Sequence, residues 1–314
     1  MPTGQPIRTT RQPRQPSKMH TLSADGQGHF AMLAFSLLVS LSFFFGHFIA
    51  PDIDPGALMA LRFALATVFL LAVLKALGVP VVLTRFWRFA LIGGCMAAYF
   101  ITMFEALRLT TAVSTAAVFT LTPLLAVCFG WVLLNQRTGP WVVAALLIGG
   151  AGAVWVIFRA DLEALLRLEI GPGEAIFFFG TLAHGAVPAL VRRLCVDVTP
   201  LQSSFATTLG ALTVTCVYAF PALIETNLSS LPQRVWWVMA YLAIVTTAGT
   251  FFLLQYASKR LPGSKVMAYT YLVPSWVIFW EVVALSRWPA PAIFAGILAT
   301  IVALLMLLRG EARV

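Results

Sequence analysis

The chain has 314 residues, 60% of them hydrophobic and only 11% charged, with a mean hydropathy of +0.90. A water-soluble domain carries about 25% charged residues and under half apolar ones, so this composition excludes a soluble enzyme or binding module and points to a chain solvated by lipid. The apolar runs are continuous rather than alternating, which excludes a closed outer-membrane barrel. The net charge of +9 is accounted for by loop charge and implies no nucleic-acid partner.

In chain order, residues 1–27 are rich in Pro, Gln, Ser and Arg and read as a disordered cytoplasmic tail without the apolar core of a signal peptide. Apolar runs punctuated by turn residues then predict ten spans, at 28–50, 54–77, 86–107, 112–134, 140–158, 173–194, 200–224, 234–258, 262–285 and 289–308. Residues 159–172 form an outer connection with a short amphipathic helix over 161–168, and 309–314 a second cytoplasmic tail. With both termini inside, 15 of the 21 basic residues fall on the inner side, leaving Arg62, Arg108, Arg159, Arg167, Arg234 and Arg287 outside. Cys95, Cys128, Cys195 and Cys216 lie in or beside apolar runs without metal-ligand spacing, so they read as packing residues.

The most informative pattern is an internal repeat. A shift of 151 lays Glu105-Ala106-Leu107-Arg108 on Tyr256-Ala257-Ser258-Lys259, Leu121 on Leu272, Pro123 on Pro274 and Pro140 on Pro291. Two repeats, 28–158 and 173–308, each with five spans, must enter the membrane in opposite orientations, the pattern of alternating-access carriers. The sequence thus predicts an all-α integral membrane protein of ten helices built as two inverted five-helix halves.

These residues resemble the drug/metabolite transporter superfamily and its ten-helix EamA-type permeases. The resemblance rests on Glu105-Ala-Leu-Arg-Leu-Thr-Thr-Ala-Val-Ser-Thr-Ala116, Leu121-Thr-Pro-Leu-Leu125, the Gly-rich Leu146–Ala153, Leu61-Arg62-Phe63, and the second copy Tyr256–Ser264 and Leu272-Val-Pro274. Within the family the chain is most similar to the YddG-type exporters of aromatic amino acids. The resemblance implies a multi-pass inner-membrane exporter without cofactor or metal. One departure is that the family's Gly-Glu after the fourth span is replaced by Asn135-Gln136, with Ser286-Arg287 at the equivalent place in the second half.

Polar side chains deep in a span are costly and face the bundle interior. Those nearest mid-span include Ser40 and Ser42, Tyr99 and Thr102, Thr115 and Thr122, Thr181 and His184, Thr246, Thr247 and Thr250, and Tyr269, Thr270 and Tyr271. Ser42, Tyr99, Thr102, Phe119, His184, Thr250, Tyr269 and Trp276 are the candidate substrate-binding set: hydroxyls for the charged groups of an amino acid, rings for its side chain. The resemblance places the family's cavity among the same helices. Pro123 and Pro274 are candidate hinges. Small residues at Ala145, Gly149 and Ala153, and at Ala295, Ala299 and Ala303, predict close helix contact within a monomer.

No Asp or Glu is expected inside the first or sixth span, which favours facilitated export over proton antiport. The alternative is export of other small metabolites or amphipathic toxic compounds, with proton coupling. An enzyme is not expected, for no HExxH, GxSxG or deep His/Asp grouping occurs. An ion channel would need charged rings or a carbonyl filter.

Overall fold

Lipid cannot hydrogen-bond the backbone, so a chain this apolar satisfies its amides in helices. The computed structural model describes residues 23–158, 160–166 and 170–309, and these are helical with short connections. The expected tail at 1–22, Arg167 and 310–314 lie outside the described residues. The first helix starts earlier than predicted: α1 runs Ala24–Ile49, because Ser23 caps it by accepting from the Gly26 amide.

After α1 come α2 (Pro55–Ala76), α3 (Trp87–Leu109), α4 (Ala112–Phe119), α5 (Thr122–Leu134), α6 (Pro140–Ile157) and the short α7 (Leu162–Leu166). The second half holds α8 (Pro172–Leu194), α9 (Pro200–Tyr218), α10 (Phe220–Glu225), α11 (Gln233–Tyr241), α12 (Gly249–Ser258), α13 (Gly263–Ala268), α14 (Val273–Leu285) and α15 (Ile293–Arg309). A π-helical segment, Leu242–Ala248, joins α11 to α12, and a 3₁₀ turn, Tyr269–Leu272, joins α13 to α14. Taking α4–α5, α11–α12 and α13–α14 as continuous, eight helices among the described residues are long and apolar enough to cross a membrane. The other two long rods fall short for different reasons. α15 has 17 residues, and α9 is diluted by Gln202, Ser203, Ser204, Thr207, Thr208, Thr213 and Thr215. Several of those hydroxyls are buried and bond back to their own helix, as Ser204 does to Pro200 O and Thr208 to Ser204 O.

Helix contacts follow the repeat. α3 packs on α8 as α12 packs on α1, α5 on α8 as α14 on α1, and α13 on α5 as α4 on α14, while α2–α9 and α6–α15 pair across the middle. Two of the contacts bring backbones together. A Cβ on Gly210 would lie 2.5 Å from the Phe89 carbonyl oxygen of α3, and one on Gly152 would lie 2.6 Å from Gly296 O of α15. The seam of α15 therefore runs through Gly296 and Ala299, and Ala295, expected to face it, is exposed.

Two expectations are corrected at this level. Arg62 does not sit at the outer end of its helix: Asp54 and Pro55 start α2, which places Arg62 seven residues in, about 10 Å along the axis, and fully buried. The first and sixth spans do contain carboxylates, because Asp25 occupies the first turn of α1 and Glu174 the first turn of α8. Glu174 is buried and accepts hydrogen bonds from Thr110 and Ser114, both 2.6 Å. Pro123 and Pro274 each occupy the opening turn of a new helix, α5 and α14, after breaks at Thr120–Leu121 and at the 3₁₀ turn.

Candidate functional site

At mid-bundle, helices from both halves bring aromatic rings into one knot. α3 contributes Tyr99, near the middle of its 23 residues, α4 Phe119, α1 Phe35 and Phe43, and α8 Phe177 and His184. The Tyr99 ring lies 4.4 Å from His184, 5.1 Å from Phe119 and 5.5 Å from Phe177 between centroids, and His184 lies 5.1 Å from Phe119. Every one of these rings is buried. Two polar atoms are trapped among them: neither the Tyr99 hydroxyl nor His184 Nδ1 has a hydrogen-bond partner among the described residues. Buried groups of this kind are nearly always paired, and one left unpaired costs about 1–3 kcal/mol. Rings supply apolar contact, while the idle hydroxyl and imidazole supply directional contact to a small polar group.

Beside the knot stands Arg62. Its guanidinium carbon lies 4.3 Å from the centre of the Phe100 ring, which in turn lies 4.8 Å from the Tyr99 ring. Nε donates to Thr247, and Nη2 donates to Thr246 at 2.9 Å and to Ser42 at 3.4 Å. Thr246 passes its own proton to Leu242 O, so it meets the arginine as an acceptor. The arginine thus couples α2 to the π-helical segment.

The eight predicted site residues divide among these features. Tyr99, Phe119 and His184 meet in the knot, Ser42 contacts Arg62, and Thr250 lies one residue into α12, bonding Thr247 O at 3.4 Å. Thr102 bonds back to Ala98 O at 2.7 Å and faces Gly180 of α8. Trp276 donates to Ser36 at 3.2 Å along the α1–α14 seam. The Tyr269 hydroxyl lies 3.1 Å from His29 Nδ1, near the start of α1. Sequence reasoning missed Arg62 and Glu174 as interior groups. The available signal was Pro55, which marks a helix start well before Arg62. It also missed Trp280, which donates to Ser40 at 3.0 Å one turn below Trp276.

Polar staples close the two ends. At the end where α1 begins, Arg88 makes two hydrogen bonds to Asp197, 2.6 and 2.9 Å, and Lys259 donates to Cys195 O and Val198 O. The guanidinium holds the Asp197 carboxyl below the usual carboxylate range, while burial pushes the Cys195 thiol up to about 11 and lowers the Lys259 ammonium. At the other end Arg234 grips Asp52 through bonds of 3.0 and 3.1 Å. A cavity of about 410 Å³ opens there, lined by His47, Thr111, Ser114, Glu281 and Arg287 among others. His47 Nδ1 donates to Leu107 O at 3.2 Å, since a carbonyl only accepts, which fixes its tautomer.

Known proteins resemble this chain in sequence and in fold. A transporter of Bacillus subtilis (strain 168), YyaM, described as uncharacterized, is 25% identical over 252 residues, covering 77% of this chain and 81% of its own. A solved chain, described only as the crystal structure of a protein, superposes with a TM-score of 0.67 at 22% identity, covering 90% of this chain and 95% of the other, a likeness of fold. Residues 26–158 and 171–309 each match the EamA-like transporter family, so the family's unit occurs twice in the chain. This chain belongs to the EamA-like transporter family, and it is a multi-pass membrane transporter.

Proposed function

We propose that this transporter exports neutral amino acids, aromatic ones included, in the manner of the YddG-type exporters, across the inner membrane. It does so by alternating access between two inverted five-helix halves, as a monomer with both termini in the cytoplasm. α9 and α15 complete the ten spans, since both pair with long helices of the other half. The observation that carries this reading is the Tyr99–His184 pair, two idle polar atoms among rings contributed by both halves. An amino acid with an aromatic side chain substitutes for those ring contacts and satisfies the idle groups. The mode is facilitative, because the knot itself contains no carboxylate.

Glu174 favours a second reading on coupling, for it is a buried carboxylate tied to the α3–α4 turn through Thr110 and Ser114. Flux of labelled phenylalanine in proteoliposomes, with and without an imposed pH gradient, separates the two. Facilitated export gives saturable flux that is unchanged by the gradient and falls at least tenfold in Tyr99→Ala and His184→Ala. Flux that collapses without the gradient establishes proton coupling, and normal flux in both variants removes the site.

A further inference from the structure

We infer that Arg62 is the carboxylate anchor of the substrate site, so that this carrier selects molecules bearing a free carboxylate over the corresponding amines. The inference rests on the knot around Tyr99 and His184 being where substrate binds. Its starting point is a charge that is out of place. A guanidinium about 10 Å inside a spanning helix is expensive to keep there, and such groups pair with a carboxylate or mark a substrate path. None of the ion pairs among the described residues involves Arg62. Its partners are three neutral hydroxyls and the face of Phe100, and its Nη1 is buried with no hydrogen-bond partner among the described residues.

Three details turn this orphan into a binding group. A planar fork with an idle nitrogen matches the two oxygens of a carboxylate, which a hydroxyl cannot replace in charge. The fork stands next to the rings: Arg62 lies over Phe100, Phe100 against Tyr99, and Tyr99 against His184. A charged head group and an aromatic body would therefore be held side by side. Finally, the hydroxyls that hold Arg62 belong to the π-helical segment Leu242–Ala248. A π segment is an irregular stretch of helix often found at functional positions. When the bundle opens, a carboxylate takes the place of Thr246 and Thr247 on the guanidinium, and the segment is released.

The test uses the full-length protein in proteoliposomes and, independently of flux, its thermal stability in detergent. The probes are phenylalanine, phenylpropionate (carboxylate only), phenylethylamine (amine only), and the non-aromatic acids alanine and lactate. The expected result is that the acids stabilise the wild type and compete with labelled phenylalanine, whereas phenylethylamine does so at least tenfold more weakly. Arg62→Gln abolishes that preference, and Arg62→Lys keeps it at reduced affinity. If Arg62→Gln does not fold, the wild-type ranking and Arg62→Lys decide. Phenylethylamine matching phenylpropionate on the wild type, or an unchanged acid preference in folded Arg62→Gln, overturns the assignment. Phenylalanine carried with no preference for acids sinks the anchor and leaves the carrier reading standing. Acids that bind while phenylalanine is not carried do the reverse, and no binding by any probe sinks both.

Discussion

Tyr99 and His184 hold the conflict between stability and work in this protein. Burying a phenol and an imidazole among rings without partners lowers stability, and nothing in packing requires it, since a phenyl ring fills the same space. Tyr99→Phe should therefore raise the melting temperature in detergent, the removed penalty being on the order of 1–3 kcal/mol, while lowering phenylalanine flux. A variant that is less stable than the wild type would show that the hydroxyl is satisfied in solution and remove the argument. Both residues were legible in the sequence, because a polar residue at the centre of an apolar run stands out. Arg62 was not: an arginine seven residues from a loop reads as a helix-end charge until the bundle shows it surrounded.

At the scale of elements, the two broken spans end alike. α5 stops at Asn135 with φ +52° and α14 at Ser286 with φ +54°, positions related by the same shift of 151. Both are left-handed caps that glycine occupies without strain, which gives a physical reason for the glycine that the family resemblance places there. Asn tolerates this region through local hydrogen bonding, whereas Ser does so less well. Ser286→Gly should thus stabilise the protein by about 1 kcal/mol, and Asn135→Gly by less; thermal unfolding of the two variants side by side checks the order. The helices themselves were readable because lipid as a solvent demands long apolar runs. Their pairing was not, since a helix that is apolar all round gives no stripe to mark its partner. The face of α15 shows the consequence: a regular row of alanines suggested Ala295, but the backbone contact with Gly152 selected Gly296.

For the molecule as a whole, the ion pairs among the described residues lie at the ends of the bundle, while neutral polar groups and Arg62 occupy its centre. The Arg88–Asp197 staple is an end feature, and its linkage has a definite sign. Because Asp197 titrates lower in the folded protein than in the unfolded chain, its contribution is fully present above the ordinary carboxylate range and is lost as pH falls below that range through its lowered folded value. The stability difference between wild type and Asp197→Asn, followed by thermal unfolding from neutral to acid pH, should shrink to nothing at the acid end. No difference even at neutral pH would assign the staple to the Leu194 carbonyl, which Arg88 also reaches at 2.9 Å and which both variants keep. The repeat was visible in the sequence through its prolines and turns, and the paired helix contacts carry it into three dimensions.

Those contacts also set an order of assembly. α1 is made well before its main neighbours α12 and α14, which lie more than 200 residues further along the chain. At synthesis rates of about 5–20 residues per second, α1 waits roughly 10–40 s in the bilayer before they arrive. Ser36 and Ser40 donate to carbonyls of their own helix, Leu33 O and Leu37 O, bonds that need no partner helix. Such self-bonds lower the cost of a serine hydroxyl facing lipid, and in the folded chain the same oxygens accept from Trp276 and Trp280 without giving them up. The early helix is in this way a docking rail already in place when the last third of the protein is inserted.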